Sequence, residues 1–443
     1  MVSESGQLVS SFRLMLSRQE SPRQLPGWCP HESAVCITVS VSLRRVTVGP
    51  DSRQHPCPPV LLEPRTMDHL FTVASLAELR DVMPGSAQSA FVLGHSRPGD
   101  GGGGMFYWNS SSRNPDDNGM VVAASDNDNK DGRWSRVDSG PLDIRWFGAS
   151  PTQDATQAIQ AALAAAGRGG EVHIPAGAFH VSRPLEIPQG VHLIGTGLLS
   201  ELHYSGPART GCLRVSGEPK TISLAISRLN ILVLTEEAYG VDLSGMSYSR
   251  FDHITVHLRQ PNTSGFYGPG NTQSPYYNVF TACHVAGTAD YTRNGCIGFN
   301  FTFDQPEQMQ SANANQIYGG HISTCQVAVH CLGVGNVFHG QVIESSDIGY
   351  QFDLCPARKK TVQRGSVNDV VGCYTEHVRL PIQQKHADAF VTAQLAYVTG
   401  YERVFEAKST RNCIVLSPHF GRLPQSRSLF ERRIDVLEPA KTP

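Results

Sequence analysis

No run of roughly eighteen apolar residues, the length a membrane-spanning helix needs, occurs anywhere in the 443 residues. The N-terminus, MVSESGQLVSSFRLMLSRQESPRQLPGWCP, has neither a continuous apolar core nor an A-x-A-like cleavage site, so no Sec signal is expected. Charge is scarce as well: 17% of residues are charged and the formal net charge is −2. That balance gives no electrostatic case for nucleic acid or for an anionic membrane as partner. CxxC, zinc-finger and HExxH spacings are absent, so neither a metal nor a cofactor is expected. With no GxSxG elbow, an esterase of the α/β-hydrolase type is excluded. The 11 cysteines are odd in number and irregularly spaced. Cys283, Cys325, Cys331, Cys373 and Cys413 sit in apolar, strand-like runs, so reduced, buried thiols are expected rather than a disulfide framework.

What is present is glycine (42), proline (28) and many β-branched and aromatic residues, the makeup of a strand-rich globular chain. The stretch GDGGGGMFYW, Gly99 to Trp108, raises the question of a phosphate cradle. Such a cradle wants a following helix and a Lys–Ser/Thr pair. An aromatic, strand-like run follows instead, with no lysine nearby, so a tight turn feeding a β-strand is expected. Just upstream, Ser75 is placed to cap a short helix with Leu76, Leu79 and Val82 on one face. The loop DNDNKDG, from Asp126, reads as a turn: its asparagines are weak calcium ligands and nothing helical flanks it. Residues 67–139 thus read as a small β-rich module. Residues 1–66 lack sustained patterning and are expected to form a poorly structured arm, with Met67 a candidate start; any tryptic peptide from 1–66 in the native protein would overturn that start.

Next comes a helix that Thr152 or Asp154 can cap, with Ile159, Ala162, Leu163 and Ala166 on one face and Gly167, Gly169 and Gly170 ending it. Beyond it helical periodicity stops and a repeat begins. NQIYGGHIST from Asn315, NVFHGQVIES from Asn336 and NDVVGCYTEH from Asn368 superpose without gaps, each with Asn first, an apolar residue third and Gly fifth. Looser copies start at Asn278 and Asn412, and a second strand type, AYGVDLSG, CIGFNFTF, CQVAVHCL and DIGYQFDL, lies between them. The 21 residues from Asn315 to Asn336 are close to one turn of a β-solenoid. Units of this size bury their apolar faces only by stacking. The expected fold is therefore all-β: a right-handed parallel β-helix of about 10–12 coils over residues 140–421, capped by the helix and followed by a tail at 422–443.

The residues DIRWFGASPTQDATQAIQAALAAAGRGGEVHIPAGAFHVSRPLEIPQGVHLIGTG resemble the opening of the pectate-lyase superfamily domain of rhamnogalacturonase-like enzymes, C5-epimerases and phage tailspikes. The resemblance is strongest over 143–197 and extends in outline to 421. TVASLAELR, VLGHSRPGDGGGGMFYW and GRWSRV are similar to the small domain preceding the β-helix in phage and prophage tailspike depolymerases. What this implies is a homotrimer that binds and depolymerises a bacterial surface polysaccharide, attached to a phage particle through the N-terminal module, with the glycine run a structural loop. A phage virion or prophage-encoded location goes with it.

Hydrolysis of a glycosidic bond needs two carboxyl groups. The repeat places Glu344 and Glu376 at the same position of their copies, eight residues past Asn336 and Asn368, with Ser323 and Ala286 equivalent in earlier copies. If consecutive coils carry them, about 4.8 Å separates their strands, and they are the first catalytic candidates. Asp347 and Asp252 are the reserves. Tyr374, His377, Arg250, Tyr276 and Tyr277 are candidates for holding substrate, with Phe266 and Tyr267 also available to stack on sugar rings. Two other readings are open. A lyase or epimerase on uronates would use a base such as His377 or Tyr374 and the basic loop ARKKTVQR, Ala357 to Arg364. A non-catalytic receptor-binding β-helix would only retain the polymer.

Overall fold

From Glu171 onward apolar residues alternate with polar ones, and the strands they form stack in parallel into three sheets around one core. The computed structural model describes residues 70–408, except 84–87, 126–130, 139, 216–222, 271–273, 305–306, 308–311, 356 and 358–365, together with the strand Cys413–Leu416. The first sheet runs in unbroken pairing from Glu171–Ile174 to Cys413–Leu416, nine coils and the first strand of a tenth. The fold is the expected right-handed parallel β-helix.

The ten-residue repeat, however, is two strands rather than one. It bends between the first and second sheets at its fifth residue, which takes a left-handed conformation in coil after coil: φ is 56° at Arg228, 50° at His253, 49° at Ala282, 61° at Gly319, 63° at Gly340 and 62° at Gly372. The strand-like sequence pattern passes through such a corner uninterrupted, because a single residue absorbs the turn. Glycine recurs there for its backbone freedom alone, since a Cβ at Gly340 would meet nothing within 4 Å. Gly340→Ala should therefore cost about 1 kcal/mol, read as a lower denaturant midpoint at unchanged slope.

The first residue of the repeat has a different cause. Asn278, Asn315, Asn336 and Asn368 are fully buried and stacked. Each Oδ1 of the next coil accepts the backbone N–H and the Nδ2–H of the one before: 3.1 and 3.0 Å from Asn278 to Asn315, 3.0 and 3.0 Å from Asn315 to Asn336, 3.0 and 3.1 Å from Asn336 to Asn368. Each Nδ2 also donates to a loop carbonyl, such as Ala312 O at 3.1 Å from Asn336. The ladder satisfies backbone groups where the chain enters the first sheet, which no apolar residue can do. Beside it run stacked rings, Phe251 on Phe280 at 4.5 Å and Phe266 on Phe299 at 4.6 Å between centroids. Phe266 is thus a core residue and not a sugar platform. Cys283, Cys325, Cys331 and Cys373 are free and buried, and burial pushes the thiols of the first and third up to about 12.

Helix Thr156–Ala166 closes the first coil, burying Ile159, Ala162 and Leu163 in the common core. The N-cap position is held by Ala155 without a side-chain cap bond, so neither expected residue occupies it: Asp154, one residue earlier, accepts the Thr156 N–H at 3.0 Å, and Thr152 bonds Ser150.

Ahead of the helix, five short strands form a separate sheet over Leu76, Leu79, Ala90, Val92, Phe106, Val122 and Trp134. Ser75 caps its helix Leu76–Arg80 as expected, accepting the Glu78 N–H. In the DNDNKDG loop, Asp126 to Lys130 lie outside the described residues, while Asp131 pairs with Arg113 at 2.7 Å; further on, Asp138 accepts the Gly140 N–H in a local turn.

The glycine run is a cradle filled from within. Asp100 Oδ1 accepts the N–H groups of His95 and Gly102, both at 2.9 Å, and Oδ2 those of Ser96 at 2.8 Å and Arg97 at 3.1 Å. The buried Arg136 guanidinium then ties the loop down from the strand, donating to the carbonyls of Gly102 at 2.8 Å, Gly103 at 2.7 Å and Gly119 at 3.0 Å. Its face lies over the Phe106 and Trp146 rings at 4.5 and 4.9 Å. Burial lowers this guanidinium to about 10, so it stays charged at neutral pH. At Asp100, burial works upward but the backbone N–H bonds outweigh it and hold the carboxyl below its ordinary 3.8. A depressed folded-state value means this stabilisation is present above pH 3.8 and lost as pH falls through the folded value. The module's melting temperature should drop on acidification below that point, and the drop should shrink in Asp100→Asn.

Candidate functional site

Along the second sheet, one inward column reads Val256, Val285, Ile322, Ile343, Thr375, Val398, all aliphatic or small core residues. Alternation then turns the next residue of each strand outward. That outward column reads His257, Ala286, Ser323, Glu344, Glu376, Thr399. Glu344 and Glu376 are direct register partners on adjacent parallel strands. Each sits one residue before a second left-handed corner, at Ser345 and His377.

The two carboxylates have different neighbours. Tyr374, two residues before Glu376 on the same face, donates its hydroxyl to Glu376 Oε2 at 2.5 Å and stacks on Tyr397 at 4.7 Å. Donation to that carboxylate raises the Tyr374 hydroxyl to about 12, so it stays protonated as a donor. Glu344 Oε2 lies 3.2 Å from Nε2 of His321, a close approach without hydrogen-bond alignment. His284 in turn accepts the His321 backbone N–H on Nδ1 at 3.1 Å. Burial, with the neighbouring His321 and His253, lowers His284, which favours a neutral ring. The small side chains of Ser323 and Ala286 continue the glutamate column toward the N-terminal end, flanked by these imidazoles.

The remaining candidates separate. His377 stands beside the pair, with Nδ1 4.0 Å from Glu376 Oε1. Asp347, one corner further on, is held in a two-pronged ion pair by Arg379, with bonds of 2.5 and 3.1 Å. Asp252 and Arg250 are on the first sheet in the coil that pairs with Val279–Thr281, three coils below Glu344. At about 4.8 Å per coil that places them roughly 14 Å away along the axis. Asp252 is the last residue of its first-sheet strand, just before the left-handed corner at His253, and its carboxylate is exposed beside that histidine at 3.0 Å. Tyr277 is exposed and stacks on Tyr248 at 5.1 Å, while Tyr276 bridges Ser247 and Asn313 at the entry to the first sheet. Neither tyrosine faces the glutamates. Among the Ala357–Arg364 loop only Ala357 falls within the described residues.

His321 is the residue of this site that spacing alone does not reveal. It belongs to the coil below Glu344 and reaches it only because the ladder aligns His321 with Val342. The aligned repeat carries the signal, because His321 and Tyr374 occupy the same seventh position of their copies.

Residues 72–139 match the small four-stranded β-sheet domain of phage tail proteins, and residues 143–350 match the pectate-lyase-like domain of rhamnogalacturonase A and epimerases. No curated protein matches the chain significantly by sequence. Among solved structures, the tailspike protein of Acinetobacter phage vB_ApiP_P1 is 16% identical with a TM-score of 0.55, over 79% of this chain and 64% of that one. The gp42 tailspike of Acinetobacter phage vb_AbaP_AS12 is 13% identical with a TM-score of 0.54, over 74% of this chain and 58% of that one. The chain therefore spans less than two thirds of the length of these two tailspikes, and the likeness is one of fold.

Proposed function

We propose that this chain, in which a phage-tail β domain precedes a pectate-lyase-like β-helix of the rhamnogalacturonase A/epimerase family, binds and depolymerises a bacterial surface polysaccharide by glycoside hydrolysis. The observation that carries this reading is the pairing of Glu344 with Glu376 on the outward face of adjacent strands. Glu376, which accepts the Tyr374 hydroxyl, serves as the ionised base or nucleophile. Glu344, beside His321, serves as the acid that protonates the leaving oxygen. His377 and Tyr374 border the bound sugar. The same reading makes the working assembly a homotrimer, joined to a phage or prophage particle through the module at 72–139.

Hydrolysis is favoured over elimination by the charges around the pair. A lyase or epimerase must neutralise a uronate carboxylate, and among the described residues the arginine near the pair, Arg379, is already taken by Asp347 with Glu402 behind it. The test is product chemistry on purified bacterial capsular polysaccharides. New reducing ends without ultraviolet-absorbing unsaturated ends are expected. Unsaturated ends would make the chain a lyase, and retention of polymer without any cleavage would make it a binding protein.

A further inference from the structure

The third sheet carries its own outward column. Asp242, Tyr267, Asn300, His330, Gln351, Gln383 and Glu406 are successive register partners, one per coil. At its N-terminal end Tyr267 stacks on Tyr239, with centroids 3.9 Å apart and planes 13° from parallel. The Tyr267 hydroxyl donates to Asp304, which is exposed at the end of strand Ile297–Phe303. Beneath the rings Asp242 is half-buried. Its Oδ1 takes both the Ser244 N–H at 3.0 Å and the Ser244 hydroxyl at 2.6 Å, whereas Oδ2 accepts no hydrogen bond among the described residues.

This grouping differs from a solvated acidic face in two ways. The tyrosines are held outward as a stacked pair instead of packing into the core, and Asp242, the register partner of Tyr267, keeps one carboxyl oxygen without a hydrogen bond among the described residues. Burial raises the Asp242 carboxyl above its ordinary range; Ser244 opposes the rise, Asp304 adds to it, and Arg214 of the preceding coil opposes it. Arg214 itself is paired with Glu186. The free oxygen of this carboxyl and the exposed carboxylate beside it are polar partners for adjacent hydroxyls. The aromatic pair supplies an amphipathic surface for the C–H face of a ring.

We propose that Tyr239, Tyr267, Asp242 and Asp304 form a second glycan-binding site, which seats the apolar face of a pyranose ring on the tyrosines and its hydroxyls on the two carboxyl groups. The proposal rests on the polysaccharide reading above but uses different residues. The site occupies another sheet and lies two to four coils from Glu344, roughly 10–19 Å along the axis. The polar column continuing from it, with Asn300 bonded to His330 at 3.1 Å and Gln351 to Gln383 at 2.7 Å, lets an extended chain lie along the sheet while the Glu344–Glu376 pair works on another segment. The site would then hold polymer between cuts.

The test measures retention of the purified capsular polysaccharides by the full chain carrying Glu344→Gln, so that polymer is bound and not cut. Adding Tyr239→Ala or Asp304→Asn should weaken retention about tenfold or more, with the far-ultraviolet circular dichroism spectrum unchanged. Tyr267→Phe keeps the ring but releases Asp304, and should weaken it less than Tyr239→Ala. Retention unchanged in the exposed-residue variant Asp304→Asn and in Tyr239→Ala would overturn the second site. If the wild-type chain cleaves polymer while these variants bind normally, the second site alone fails; if the wild type neither retains nor cleaves any polymer, the polysaccharide reading fails and the site falls with it.

Discussion

Glu344→Gln should lower the rate of chain cleavage by about a hundredfold or more while leaving retention of the uncut polymer nearly intact. Glutamine keeps the size and hydrogen-bonding outline of the side chain but cannot deliver a proton to a leaving oxygen. The loss should fall on kcat with little change in KM, the signature of an interaction made only in the transition state. Glu376→Gln should do at least as much damage, because it removes the ionised partner that Tyr374 holds at 2.5 Å. Tyr374→Phe separates orientation from chemistry: the ring and its stack on Tyr397 remain while the clamp is lost, so a smaller fall is expected. Unchanged kcat in both glutamine variants, with polymer still cleaved, would move the chemistry off the second sheet.

The largest effect on stability is expected at the asparagine ladder. Asn336→Ala removes the acceptor shared by the Asn315 N–H and Nδ2–H and the donor to Ala312 O, all fully buried. Buried polar groups stripped of partners cost about 1–3 kcal/mol each, so the sum comes to about 4 kcal/mol. The effect should appear as a lower denaturant midpoint, and the same change at exposed Gln316, one residue from Asn315, should leave the midpoint within about 0.5 kcal/mol of wild type. Equal effects at the two positions would mean that the ladder contributes no more than any surface residue.

How much of this is legible in the sequence follows from what each residue answers to. Asn336 and Gly340 answer to their own coil and the one stacked on it, so they recur at fixed spacing and the repeat exposes them. The Glu344–Glu376 pair rides on that repeat and could be placed by counting from the asparagines. The corner at Gly340 could not be read as a corner, since one left-handed residue bends a strand without breaking its alternation. His321 and Asp242 answer to neighbours many residues away, and their surroundings exist only once the coils stack. Phe266 reads as a sugar platform beside Tyr267 because sequence alone does not anchor the strand alternation; the register puts one inward and the other outward. Asp100 shows another case: the lack of a following helix and a lysine points GDGGGG to a turn, and the turn is built around the carboxylate of its own aspartate, which the surrounding N–H groups enclose.

That Glu344 and Glu376 act as one catalytic unit is tested most directly by reducing-end release from a capsular polysaccharide that all variants retain, comparing wild type, Glu344→Gln, Glu376→Gln and the double variant. Two groups serving one transition state lose most of their contribution when either is removed. The double variant should therefore be about as slow as the worse single variant, with no unsaturated ends in any digest. A double variant slower by the product of the two single losses would show the carboxylates acting independently. Wild-type rates in all variants would contradict the assignment outright.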